Sequence, residues 1–379
     1  MRKVFIIVAL SLAISNGFAQ DGWILRKSGT VQNLNSISSS DGQNVVAVGA
    51  NSTITVSHTG GVTWMLLDNF RAKQITQGKD LKGVAAISDK IFCTVGLLDS
   101  IYRSTDKGNS WRGVRGSFDA CTRNTQAGLV PPLYAIDFDS TTGISVAVGL
   151  NSLAVFSPDS GRYWEENAPI QQRYFDLDCV SMNNGVLLAG TVGLNEGHSY
   201  VTTDQGYDWQ IHWVQKNIAI TGCDKASWTM VGPGGTIYHS PNKGGVWDSI
   251  WGGTRVNFND VHFGNSVRGY IVGDNGTILY STDGGYTWTQ QFSPTHENLR
   301  SIHMSDPFHG FICGDNGVIL TTQNGGFYDD VSGPLPLSGS PIRSYPNPFS
   351  SRTTFEFPIS KRGFVRVRIY NLLGEEVAT

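Results

Sequence analysis

The 379-residue chain has 16% charged residues, against roughly 25% for an average globular protein, and carries 45 glycines. Its formal net charge is −3, so the basic excess of a nucleic-acid binder is absent. That balance of few charges and many glycines fits short strands joined by tight turns, an all-β chain.

Met1-Arg2-Lys3, the apolar run from Val4 to Ile14 and Asn16-Gly17-Phe18-Ala19 together read as a secretory signal peptide over residues 1–19. Its removal leaves 26 basic against 31 acidic residues. The run is too short to span a bilayer, and no other stretch approaches the roughly 20 apolar residues required. The expectation is a secreted or cell-surface protein reached through the periplasm, with no membrane span once the signal is gone. Five cysteines cannot all pair within one chain. Cys93 and Cys313 lie in strand-like runs and read as buried free thiols, whereas Cys121 falls in a connection.

From Trp23 to Val331 the chain repeats one unit. Its clearest copy is Val272-Gly-Asp-Asn-Gly-Thr-Ile-Leu-Tyr-Ser-Thr-Asp-Gly-Gly-Tyr-Thr-Trp288. Asp274-Asn275-Gly276 is a turn signal, the next residues alternate at strand period, and Ser281-x-Asp283-x-Gly285-x-x-Trp288 is a second turn with an aromatic anchor. Sixteen residues separate the apolar-Gly pair from the Trp at Val48–Trp64, Val95–Trp111, Val148–Trp164, Val231–Trp247 and Val272–Trp288. Ala189 to Trp209 takes twenty, which places four extra residues around Thr191 to His198. Leu34, Leu81, Phe258 and Leu299 precede their pairs by fourteen. Seven copies of about forty residues specify a seven-bladed β-propeller of four-stranded blades over residues 20–331.

Within that ring, turns between second and third strands share one face with the blade-to-blade connections. The Ser-x-Asp turns share the other. Asp329 stands where the seventh Trp belongs, and Trp23 lies eleven residues before Leu34, as Trp288 does before Leu299. The N-terminal strand is therefore expected to complete the last blade and remove an open edge.

Ser-x-Asp-x-Gly-x-x-Trp, complete at Ser104–Trp111, Ser157–Trp164 and Ser281–Trp288, resembles the Asp-box of the bacterial neuraminidase repeat. The longer Val272–Trp288 pattern resembles the propellers of the photosystem II stability and assembly factor family. That resemblance covers all the repeats, implies the propeller fold and is weak for function. After a Pro/Gly/Ser linker at 332–343, Ser344-Tyr-Pro-Asn-Pro-Phe349, Val365-Arg-Val-Arg-Ile-Tyr370 and Asn371-Leu-Leu-Gly-Glu-Glu-Val377 resemble the first half of a type IX secretion sorting domain. That resemblance implies an incomplete C-terminal β-sandwich over residues 344–379, with the type IX machinery as a partner.

No phosphate loop, nucleophile elbow, His-Glu-x-x-His or paired Cys-x-x-Cys is present, so no catalytic residue, metal or cofactor is assigned. One position in the first strands is polar in several repeats: Asp137, Asp178, His262 and His303 align there, with Ser38 and Ala85 in other copies. These could meet in the central channel as a metal or proton-transfer ring. The stronger feature is length on one face. The connections after Trp64 and Trp111 run to seventeen and twenty-two residues, against eleven elsewhere. Arg112, Arg115, Phe118, Arg123, Arg173, Tyr174, Glu196 and His198 fall in or beside the lengthened segments. Arginines among aromatics favour recognition over catalysis. The expected activity is non-catalytic binding of a protein or glycan outside the cell or at its surface. The alternative is a glycan-processing enzyme, such as a sialidase-like glycoside hydrolase, on the same scaffold.

Overall fold

The computed structural model describes residues 22–67, 78–97, 101–117, 132–150, 153–166, 176–183, 185–192, 196–204, 207–216, 222–224, 228–242 and 244–327, and four short strands further on. Two units separate, one over Asp21–Phe327 and one combining Met1–Gln20 with Tyr328–Thr379. In the second unit the described parts are two hairpins, Arg343–Tyr345 with Thr354–Glu356 and Ile369–Tyr370 with Glu376–Ala378.

The first unit is the seven-bladed propeller. Blades one to six occupy residues 34–66, 81–117, 133–165, 176–216, 222–251 and 258–291, each an antiparallel meander of four strands. Blade seven takes three strands from 299–322 and its fourth, Ile24–Lys27, from the other end of the chain. Second strands such as Val45–Gly49, Gly269–Gly273 and Gly310–Gly314 are buried at every position. Both faces of each blade are covered by neighbours, so these strands read as continuous apolar runs rather than alternating ones.

The Asp-box turn closes on itself. In blade six Ser281 Oγ donates to Asp283 Oδ1 (2.8 Å), while the amides of Gly285 and Thr287 donate to Ser281 Oγ (2.9 Å) and Asp283 Oδ1 (3.0 Å). Trp288 Nε1 then donates to the Gly285 carbonyl (2.9 Å). Gly285 has φ +96°, and a side chain there would press on Thr229 of the blade before it. The glycine of the apolar-Gly pair has a different cause. Gly49 and Gly273 are extended, but a Cβ on either would run into the carbonyl of Asn33 or Asn257, just before the strand-one anchor.

Each Asp-box Trp wedges between its own blade and the preceding one. Trp111 packs with Val46, Val48 and Val56 of blade one, and Trp164 with Ile87, Cys93 and Val95 of blade two. Trp23 fills the same role between Tyr270 and Val272 of blade six and Ile302, Ile312 and Leu320 of blade seven. Its indole Nε1 donates to Gln291 Oε1 (2.9 Å), and the Gln291 amide donates to the Gly325 carbonyl (2.9 Å). The N-terminal strand thus closes the ring as its register implied, through a glutamine relay of blade six that the sequence did not disclose.

Three local readings change. Blades two and three form one eight-stranded sheet, because Arg112–Ser117 runs parallel to Tyr163–Glu165. The extra residues of blade four lengthen its second and third strands, Val186–Val192 and Glu196–Thr202, beyond the four to six residues usual for those strands in other blades. The first strand of that blade is anchored by Leu177, with a bulge before Cys179. Asp178 therefore lies one residue past the anchor, and Ser181 rather than Asp178 takes the place of His262. Cys93 and Cys313 are buried free thiols as expected, joined by Cys179.

Trp23→Ala should cost about 3–5 kcal/mol, the usual range for emptying a buried aromatic site. Urea unfolding of the protein measures it, and an unmoved midpoint would mean that the ring is not held by this strand.

Candidate functional site

Seven first strands surround a central cavity of about 500 Å³. Each pairs with its second strand on one side and turns its other edge to the axis, where no strand can reach it. Unpaired backbone amides are costly to bury. At six of these amides side chains of the preceding blade supply the acceptor. Phe138 and Val261 instead bond Asp137 and Asp260 of their own blades, where blade two offers Ala85 and blade five Gly222. The amides of Val84 and Ala86 donate to Ser36 Oγ (3.1 Å) and Ser38 Oγ (3.0 Å). Those of Met182 and Phe263 donate to Asp137 Oδ2 (2.7 Å) and Asp224 Oδ2 (2.9 Å). Ile302 and Met304 donate to Asp260 Oδ2 (2.9 Å) and His262 Nδ1 (3.3 Å).

The polar position singled out in the sequence is thus an inter-blade clasp. Blade five contributes Asp224 to it, and a second ring two residues nearer the anchor contributes Ser36 and Asp260. His262 and His303 come close, with ring centroids 4.8 Å apart. His262 Nδ1 is taken by an amide, which leaves its other nitrogen carrying the proton. Burial lowers its pKa, and burial together with His262 lowers that of His303 to about 3, so both imidazoles are neutral. Among the described residues no group of three or more His, Cys, Asp or Glu side chains could hold a metal ion.

The carboxylates behave likewise. Burial pushes Asp137 up to about 7, against the amides of Met182 and Phe138, which favour its charge. Asp260 also reaches about 7 through burial, although both its oxygens accept backbone amides, from Val261 (2.8 Å) and Ile302 (2.9 Å). Asp178, raised to about 6 by burial and then by Asp176, faces Lys82 at the opposite mouth from the Asp-boxes. At that mouth Arg300 forms a two-point ion pair with Asp315. Asp137, Asp178 and Asp260 would satisfy a pKa criterion for proton transfer, but Asp137 and Asp260, like Asp224, are committed to holding strands.

The candidate binding residues scatter. Arg112 and Arg115 belong to the outer strand of blade two, paired with Arg103 and Tyr163, instead of to a connection. Since that strand starts at the Asp-box, Arg112 lies at the Asp-box end and away from the lengthened connections. Glu196 and His198 stand within the third strand of blade four, opposite Lys216 and Trp213. His198 is 4% exposed and cannot contact a partner directly. Phe118, Arg123, Arg173 and Tyr174 lie outside the described residues.

The sequence carries a further signal. In four blades the residue before the anchor, Asp80, Asn257, Asn298 or Asn33, accepts from the turn amide of Asn51, Gly234, Asn275 or Asn316 in the preceding blade. A recurrent Asn or Asp at that place marks a second seam, on the face opposite the Asp-boxes.

Asp137→Asn keeps an acceptor for Met182 and removes the titration. The native carboxyl, raised to about 7, binds a proton that the unfolded chain releases near 3.8. Wild-type stability should therefore fall, relative to the Asn variant, as pH rises from about 4 to 7, and the gap should level off above that. Denaturation at pH 5 and pH 8 checks this; an equal gap at both would contradict it.

The family described as photosynthesis system II assembly factor YCF48 matches residues 246–342. Among solved structures, the one titled "YCF48 bound to D1 peptide" is 19% identical, with a TM-score of 0.61, covering 83% of this chain and 97% of that one. YCF48 from Cyanidioschyzon merolae is 18% identical with a TM-score of 0.61, covering 80% and 99%. Comparison with curated proteins finds no match. The chain thus shares the propeller fold of YCF48, and blade six and the three C-terminal strands of blade seven lie within the matched segment.

Proposed function

We propose that this propeller is a non-catalytic binding protein whose ligand is a segment of another protein. The observation that carries the reading is the use of the channel acids: Asp137, Asp224 and Asp260 each accept an amide of the next blade. A general acid must give its proton to a substrate, and groups that hold the ring together are poorly placed to do so. The similar structure carrying a D1 peptide supports a protein segment as the ligand class, ahead of a glycan. In the same proposal the signal segment 1–19 and the sorting segment 344–379 direct the protein out of the cell or to its surface.

The proposed ligand site is the lengthened connections of blades two to four, whose sequence contains Arg123, Arg173 and Tyr174, residue types suited to recognition. Arg123→Ala with Arg173→Ala should abolish capture of partners from the native cell envelope while leaving melting unchanged. Protease treatment of the envelope should remove the captured material and glycosidase treatment should spare it. Capture undiminished in the double variant would remove this face from the account; loss to glycosidase alone would reassign the ligand to a glycan. Turnover of a glycan substrate that Asp137→Asn or Asp260→Asn abolishes would establish the enzyme instead.

A further inference from the structure

The Asp-box face carries an arc of exposed apolar side chains on blades five, six and seven. Val246, Tyr286, Val267 and Phe308 are 55%, 56%, 46% and 44% exposed. Blade six is in contact with both of its neighbours there. The Tyr286 ring lies 4.4 Å from that of His239 in blade five, and the Gly284 amide donates to the Val267 carbonyl (2.9 Å). Arg268, the residue after Val267, lays its guanidinium 4.5 Å over the Phe308 ring of blade seven. The Asp-box does not demand such side chains: Asn109 and Arg162 stand where blade six has Tyr286. An exposed apolar surface that crosses three blades without a structural need marks a place of contact.

Among the described residues its charge is mainly acidic. Asp248 and Asp283 flank His239 beside Tyr286, and Asp306 lies under Phe308. Burial works against the charge of Asp283, yet the hydroxyl and amide of Thr287 and the hydroxyl of Ser281 hold its carboxyl below the usual range. The amides of Phe308 and His309 do the same for Asp306, again against burial. Among the described cations nearby, Arg268 is half-buried against Phe308 and Phe327, and His309 is bonded to Asp306 Oδ2 (2.7 Å). The arc therefore offers apolar side chains edged by carboxylates.

We infer that this arc docks a cationic segment of a partner protein, one that places Leu-like or aromatic side chains on the apolar turns and Lys or Arg beside Asp248, Asp283 and Asp306. The charge argues for that occupant over a second copy of this chain, because two such arcs face to face would set carboxylate against carboxylate. The site lies on the opposite face from the connections of blades two to four and is independent of the binding proposed there.

The test uses the mature full chain and three immobilised synthetic peptides, alternating Lys with Leu, Glu with Leu, and Lys with Ser. The Lys–Leu peptide alone should bind, and more weakly as salt rises. Tyr286→Ser with Phe308→Ser, both exposed, should weaken binding tenfold or more without changing the melting temperature, and Tyr286→Lys alone should do so too. Trp251→Ser, on the outer strand of blade five and 64% exposed, should leave it unchanged, as should Arg123→Ala with Arg173→Ala. Equal binding of the Glu–Leu or Lys–Ser peptide, or binding indifferent to the arc substitutions, would overturn the inference. So would a concentration-dependent dimer that Tyr286→Ser with Phe308→Ser abolishes, since the arc would then belong to self-association.

Discussion

A ring of radial sheets leaves the inner edge of every blade facing the axis, where no further strand can pair with it. The amides on that edge must still find acceptors. For six of these amides the acceptors come from the blade before: serine hydroxyls in blade one, carboxylates in blades three, five and six, and an imidazole in blade six. Phe138 and Val261 instead bond Asp137 and Asp260 of their own blades. One contact thus satisfies an edge and sets the rotation between neighbouring blades. The polarity of the channel follows from it, and with that polarity the raised carboxyls and the neutral histidines.

The same economy governs the ends of the chain. Trp23 takes the inter-blade wedge that the other Asp-box tryptophans occupy, and Gln291 carries its hydrogen bond across to Gly325. Since Ile24–Lys27 pairs with Val318–Thr322, the first described strand meets the last strand of the ring. Contacts of such sequence separation make closure a late and slow event on general grounds, whatever the order in which the middle blades form.

Much of this was legible because the unit repeats. The sixteen-residue spacing from the apolar-Gly pair to the Trp, and the eleven residues from Trp23 to Leu34, are geometric demands of one blade, and the ring of four-stranded blades obeys them. Blade four misled because its first strand is anchored at Leu177 and its hairpin is shorter, which moved Asp178 out of the clasp. The arginines misled for another reason. Arg112 and Arg115 follow a long-connection Trp, but the outer strand must first run its own length, to Ser117, before any connection begins. The clasp itself was visible only as a position of mixed polarity, because Ser, Asp and His all accept an amide and share no other chemistry.

Asp137, Asp224, Asp260 and His262 of the channel serve the ring, whereas Asp178 at the mouth holds no strand among the described residues. The central claim is that the preceding blade holds the inner amides, and hydrogen exchange at single residues tests it most directly. In Asp260→Ala, the Ile302 amide should lose protection while Leu320, in the third strand of the same blade, keeps its own. Unchanged protection of Ile302 would show that the inner edge is satisfied without the side chain of blade six, and the account of the channel would fail.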